Sequence, residues 1–228
     1  MNIPDLDEEQ RLLADGHQSV AGMDEVGRGA WAGPVTVGIA IVRPDASTAS
    51  MPVWLRDSKQ LSEMRRESIF DEVREWCLTW SVGHASPDEC DGLGMTAALR
   101  LASQRALSAL GEQPAALLVD GPVDLLRAKG DEAPIFAGTV RPVIKGDAKC
   151  ASVAAASVLA KVVRDGLMRA DSEHFPAYEF ERNKGYPSPA HQRALRGYGL
   201  TSIHRRSWSY VADLPWVSVW GPVGENTL

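Results

Sequence analysis

Four acidic residues in this 228-residue sequence stand where the chain has reason to turn. Asp24 and Glu25 close an apolar run, Asp120 tips the run Ala115 to Val119, and Asp147 sits in Lys145-Gly146-Asp147, ahead of an Ala/Ser-rich stretch. Gathered in one cleft, four carboxylates repel one another unless divalent cations offset their charge, and an all-oxygen donor set suits Mg²⁺ or Mn²⁺ rather than zinc. Two such ions about 3.5–4 Å apart can hold both the attacking and the leaving oxygen of an in-line phosphoryl displacement, which is nuclease or phosphatase chemistry. The competing reading is that the acids are turn and capping residues, since Asp-Gly and Gly-Asp are common turn dipeptides. Each acid taken singly favours that second reading; their joint placement favours the first, and spacing alone leaves both open.

The elements that would position these acids follow from periodicity and turn signals. Val20 to Glu25 reads as a short strand closed by Gly27-Arg28-Gly29, and Pro34 to Val42 as a second strand pairing with it antiparallel. Neighbouring strand residues point to opposite faces, so Asp24 and Glu25 reach one site only if the chain bends, as the glycine turn allows. A helix follows, with Ile69, Phe70, Val73, Trp76 and Cys77 at helical spacing and Ser62 as its N-cap. Leu78 to Ala85 is a third strand, and Pro87 to Leu110 is a helical pattern broken near Gly92 and Gly94. Ala115 to Val119 has the continuous apolar character of a buried strand. Val140 to Ile144 is a fifth strand, which Pro142 assigns to a sheet edge. From about Lys149 to Ala170 runs a long helix of small side chains suited to close packing on a sheet, followed by short helices and turns. The expected architecture is α/β, a mixed sheet flanked by helices with its active residues at the carboxyl ends of strands. Residues 1–170 form the main domain and 171–228 a C-terminal helical extension packed on it.

Composition narrows the partners. With 44% hydrophobic and 24% charged residues, the chain is neither disordered, collagenous nor membrane-embedded in character. Its longest apolar tract, Val153 to Ala160, is mostly alanine and ends at Lys161, well short of the ~20 residues a membrane span needs. Cys77, Cys90 and Cys150 form no C-x-x-C pair, so neither a zinc site nor a disulfide framework is suggested. The opening residues, with Asp5, Asp7, Glu8 and Glu9, lack the apolar core of a signal peptide, and a cytoplasmic location is expected. A net charge of −6 first counts against a polyanionic partner. That average conceals a division, because Arg141 to Arg206 holds 12 Lys/Arg against 6 Asp/Glu while the remainder holds 12 against 24. Nucleic acid is therefore compatible with the charge, and its binding is expected to depend on metal and to weaken with salt.

The chain carries a series of short motifs: Met23-Asp24-Glu25-Val26-Gly27-Arg28-Gly29, Asp57-Ser58-Lys59, Val119-Asp120-Gly121, Lys145-Gly146-Asp147 with the run Ser152 to Lys161, Lys184-Gly185-Tyr186-Pro187, and His204-Arg205-Arg206-Ser207. Read together, they resemble the ribonuclease HII family, the bacterial type 2 ribonucleases H. They occur in the family's order across roughly residues 20 to 210. The resemblance implies an RNase H-like fold and metal-dependent endonucleolytic cutting of RNA in RNA/DNA hybrids and of single ribonucleotides in duplex DNA. It also implies that Asp24, Glu25, Asp120 and Asp147 bind Mg²⁺ or Mn²⁺ and that Gly27, Arg28 and Gly29 read the ribose 2′-OH through their backbone. Ser58 and Lys59 would contact phosphate, and Tyr186 would pack on the sugar at the RNA–DNA junction.

Lys145, Lys149, Lys161 and Lys184 are further candidates for the nucleic-acid backbone, each equally readable as a solvated surface lysine. His191, His204, Arg205 and Arg206 either touch substrate or close the fold, and no histidine is assigned as general base. No glutamine-led hydrophobic–aromatic motif occurs in Val217 to Leu228, so a sliding-clamp partner is not expected. About twenty residues precede Asp24, too few for the N-terminal domain that type HIII relatives carry. A monomer is expected. The competing functions are a nucleic-acid-binding module without catalysis and, further behind, a nucleotide-phosphate enzyme, for which neither G-x-G-x-x-G nor G-x-x-x-x-G-K-[ST] is present.

Overall fold

In the computed structural model, which describes residues 3–43, 45–55, 61–127 and 133–215, strands β1 (Val20–Val26), β2 (Val35–Val42), β3 (Cys77–Ala85), β4 (Ala116–Asp120) and β5 (Thr139–Val143) form one mixed sheet ordered β3-β2-β1-β4-β5. β2 is antiparallel to both β1 and β3, whereas β1–β4 and β4–β5 are parallel. Pro142 lies in the edge strand β5, where one side of the backbone needs no ladder partner.

Helix α1 (Asp7–Ala14) is the element that sequence reading missed, because its acidic start hides the two positions that matter. Leu12 joins the core, and Glu9 is buried with Oε1 accepting the amide of Ser152 at 2.8 Å and its hydroxyl at 2.6 Å. Burial pushes the Glu9 carboxyl above its ordinary value. Helix α2 (Glu63–Trp76) begins where expected, with the Ser62 hydroxyl accepting the Arg65 amide at 3.2 Å. The helical pattern after β3 divides at Gly94 into α3 (Pro87–Leu93) and α4 (Met95–Ala109), whereas Gly92 lies within α3.

The two sheet faces are covered differently. Ala98, Leu99, Ala102 and Ala106 of α4 pack on Ala21, Met23, Val37, Ile39, Leu117 and Val119. The other face receives α5 (Ala151–His174), whose alanines bring its backbone close to the sheet, with α2 beside it. A side chain at Gly22 of β1 would collide with the backbone of Ser152 and Val153, and a Cβ at Gly38 of β2 would lie 2.6 Å from the Ala156 carbonyl oxygen. Helix α5 continues to His174, past the division expected at residue 170. Beyond it, the 3-10 turn Pro176–Tyr178, α6 (Phe180–Asn183), α7 (Pro189–Tyr198) and the 3-10 turn Ser209–Asp213 pack through Tyr178, Phe180, Leu195 and Tyr210 onto Ala32 and Met168. No helix among the described residues is long and apolar enough to cross a membrane.

Candidate active site

Strand alternation decides where the acids point. Gly22 and Asp24 share the α5 face of β1, and Leu118 and Asp120 share that face of β4. The parallel register pairs Met23 with Val119, so Asp24 and Asp120 are the next residues along two adjacent central strands. Asp24 is 4% exposed, and its Oδ1 accepts the Glu25 amide at 2.7 Å. Asp120 Oδ1 accepts the Gly146 amide at 2.7 Å, which ties the tip of β4 to the 3-10 turn Gly146–Ala148 that carries Asp147. That turn is entered through Lys145 in the left-handed region, and Asp147 is 5% exposed. Pairing of Asp5 with the backbone at Lys149 and Ala151 holds the chain between this turn and α5.

A cavity of about 420 Å³ opens here, lined by Asp24, Glu25, Val26, Gly27, Arg28, Gly29, Asp120, Lys161 and Tyr186. The structure thus brings three of the four candidate acids into the lining of one cavity, and Asp147 follows Gly146, whose amide Asp120 holds. Among the described residues, no group of three or more Asp, Glu, His or Cys side chains is closed around an ion position. Glu25 lies 3.6 Å from the guanidinium of Arg28.

The glycine turn has an unusual hydrogen-bond balance. Gly27 has φ +87°, and a Cβ there would strike Arg164 and the Pro34 carbonyl, so only glycine fits. Its amide donates to the Tyr186 hydroxyl at 3.1 Å. Two fully buried arginines take the carbonyls. Arg205 donates to Gly27 at 2.7 Å, Arg28 at 3.1 Å and Gly33 at 3.0 Å, while Arg164 donates to Pro34 at 2.8 Å, Ala32 at 3.2 Å and Lys184 at 3.0 Å. The amides of residues 30–33 are satisfied by Gly27, Gly185 and Ile203. Those of the exposed Arg28 and Gly29 find no acceptor among the described residues, so the turn has two unpaired donors at the cavity, while its Gly27 and Arg28 carbonyls are held by the buried Arg205.

Tyr186 covers this turn. Its ring carbon Cε1 is 4.0 Å from where a Cβ on Gly29 would be, and Lys161 Nζ and Arg164 Cζ lie 5.5 and 5.4 Å from the ring centre. Lys161 pairs with Asp165 at 2.8 Å, and its pKa is lowered, chiefly by burial. Lys184 is turned inward, 2.8 Å from Glu63 and bonded to the Glu181 carbonyl, whereas Lys145 and Lys149 are exposed. His191, His204 and Arg205 are buried in the fold, and Arg206 is exposed, with its amide on Asp91 at 2.6 Å. Ser58, Lys59 and the segment Val217 to Leu228 lie outside the described residues. Arg164 escaped sequence reading; its one signal is a cation one turn after Lys161 on a helix otherwise built of small apolar residues.

A protein-family model described as ribonuclease HII matches residues 21–211, which span the four candidate acids and both buried arginines. The chain belongs to the ribonuclease HII family. Among relatives, the ribonuclease HII of Streptomyces avermitilis is 49% identical over 203 residues, covering 88% of this chain and 81% of that one. The solved ribonuclease H2 of Pyrococcus horikoshii OT3 superposes with a TM-score of 0.70 at 28% identity, covering 86% of this chain and 96% of that one. The same TM-score, 0.70 at 27% identity, relates it to the RNase HII of Archaeoglobus fulgidus solved in a complex with PCNA, covering 84% of this chain and 95% of that one. Membership in the ribonuclease HII family makes this an enzyme with ribonuclease H activity and displaces the binding-module reading.

Proposed function

We propose that this member of the family cuts RNA in RNA/DNA hybrids and single ribonucleotides embedded in duplex DNA, on the 5′ side of the ribonucleotide, leaving a 3′-OH and a 5′-phosphate. The observation that supports this reading is the adjacency of two unlike features in one cavity: carboxylates on the central strands, and a turn whose free amides and tyrosine suit a ribose 2′-OH. The carboxylates of Asp24, Glu25, Asp120 and Asp147 are an oxygen-only donor set, with no cysteine or histidine among the described residues that line the cavity, and they fit Mg²⁺ or Mn²⁺. Such ions, when bound, offset the charge of the phosphate under attack and favour ionisation of the attacking water. Asp24 and Asp120 would hold them from rigid strands, and Asp147 from the turn that Asp120 anchors. Gly27, Arg28 and Gly29 would take the 2′-OH, Tyr186 the sugar, and Ser58 and Lys59 the phosphate. In the cell this reading places the enzyme in the cytoplasm as a monomer, in ribonucleotide excision and RNA-primer removal.

A duplex carrying one ribonucleotide should be nicked at that residue in Mg²⁺ and left intact in EDTA, with an all-DNA duplex untouched in both. Equal cutting of the all-DNA duplex would refute the assignment. Tyr186→Ala should slow cleavage at the single ribonucleotide by about tenfold, the scale of losing one stacking platform worth about 1–3 kcal/mol. Unchanged rates on that substrate would remove Tyr186 from recognition.

A further inference from the structure

Tyr186 is held from below by a hydrogen-bond chain whose direction is forced. Its carbonyl oxygen is 3.0 Å from Nδ1 of His191, in the first turn of α7, where the His191 amide also donates to the Ser188 hydroxyl at 3.1 Å. His191 Nε2 meets Nε2 of His204 at 2.9 Å, and both rings are fully buried. At the far end, the Thr201 amide donates to Nδ1 of His204 at 2.9 Å, with the Thr201 hydroxyl 2.8 Å from the same nitrogen.

An amide can only donate, so His204 Nδ1 is an acceptor and the ring proton sits on Nε2. That proton points at His191 Nε2, which must accept, leaving the His191 proton on Nδ1 to face the Tyr186 carbonyl. An obligate donor at one end and an obligate acceptor at the other therefore fix both tautomers. The rings lie in an aromatic cage, with Tyr178 centred 5.1 Å from His204, Phe180 5.3 Å from His191 and Trp31 edge-on at 5.7 Å. Burial is the main cause that lowers the pKa of both imidazoles, and His204 is pushed down to about 3.

The anchor end of the chain is not arbitrary. His204 pairs as an isolated antiparallel bridge with Ala32, flanked by the Gly33 amide on the Ile203 carbonyl at 2.9 Å and the Arg205 amide on the Trp31 carbonyl at 2.8 Å. The chain thus runs from the backbone that continues the Gly27–Gly29 turn to the backbone of Tyr186.

We propose that His191 and His204 are positioning residues for ribonucleotide recognition, setting the height of the Tyr186 ring above the Gly27–Gly29 turn through this one-way chain. The inference rests on the reading of Tyr186 as the sugar contact. An asparagine amide occupies the place of an imidazole Nδ1 and a glutamine amide that of Nε2. His191→Asn accordingly keeps the donor to Tyr186, whereas His191→Gln keeps contact with His204 and loses Tyr186.

The test is single-turnover cleavage of a duplex with one ribonucleotide. His191→Gln should lose about tenfold in rate at saturating enzyme with the half-saturating concentration little changed, the scale of a modest misplacement, while His191→Asn stays within about threefold of the parent. In a Tyr186→Ala background the two variants should cleave alike. Equal losses from Asn and Gln, or a Gln effect that adds in full to Tyr186→Ala, would overturn the proposal. If Tyr186→Ala alone costs nothing, the sugar-contact reading fails instead. Imidazole ¹⁵N spectra of the unmodified protein give a check independent of variant folding. They should show His191 protonated at Nδ1 and His204 at Nε2, and any other pair of tautomers would refute the chain.

Discussion

Asp120→Asn is expected to yield a folded protein that binds its duplex and scarcely cuts it, with turnover reduced roughly 10³-fold, the scale seen when one group that stabilises developing charge is removed. The reason lies in what the substitution keeps. Asparagine retains a carbonyl oxygen that can go on accepting the Gly146 amide, now 2.7 Å from Asp120, so the tip of β4 and the Asp147 turn stay joined. What disappears is the negative charge at the tip of β4, which on the proposed reading helps to hold a divalent ion. Gel-shift affinity for a hybrid duplex and the thermal midpoint should both stay near the parent values while the rate collapses. Binding that falls in parallel with the rate would mean that Asp120 serves the complex rather than the chemistry.

Gly22→Ala should cost about 3–4 kcal/mol of stability in urea unfolding, at the upper end of what overpacking and backbone displacement produce. The new methyl group would enter the backbone of Ser152 and Val153, neither of which can rotate away as a flexible side chain does. Relief requires α5 to lift from β1, and that movement separates Asp24, two residues along β1, from the turn leading into α5. Activity should therefore fall beyond what the loss of folded protein explains. Gly197→Ala is the control, since a Cβ there meets no atom within 4 Å and an alanine in a helix is favourable by about 0.5–1 kcal/mol. If Gly22→Ala unfolds at the same urea concentration as the parent, the close approach of α5 to the sheet is not a requirement.

The elements most legible in the sequence were those whose burial pattern is one-sided or continuous. The apolar run before Asp120, the Ser62 cap and the edge proline of β5 each carry a local physical signature, and the structure places them accordingly. Helix α1 was missed because its decisive residue is a buried glutamate, which composition counts among solvated acids, and only the partner at Ser152 reveals its role as a cap. The candidate acids were singled out because strand ends are where chemistry is expected, and the structure brings Asp24, Glu25 and Asp120 to one cavity. The support beneath the turn could not be found this way. Arg164 and Arg205 act on carbonyls 130 and 178 residues away, and no periodicity or spacing encodes a contact of that span.

That span has a consequence for biosynthesis. A chain emerging from the ribosome at about 5–20 residues per second delivers Asp24, Glu25, Asp120 and Asp147 before Arg205 exists. The sheet with its acids can assemble first, while the carbonyls of Gly27, Arg28 and Gly33 wait for a guanidinium and Tyr186 for the histidines that fix it. The turn proposed to read the sugar is finished last, so a nascent chain or one truncated before residue 205 holds the acids without the built turn beside them.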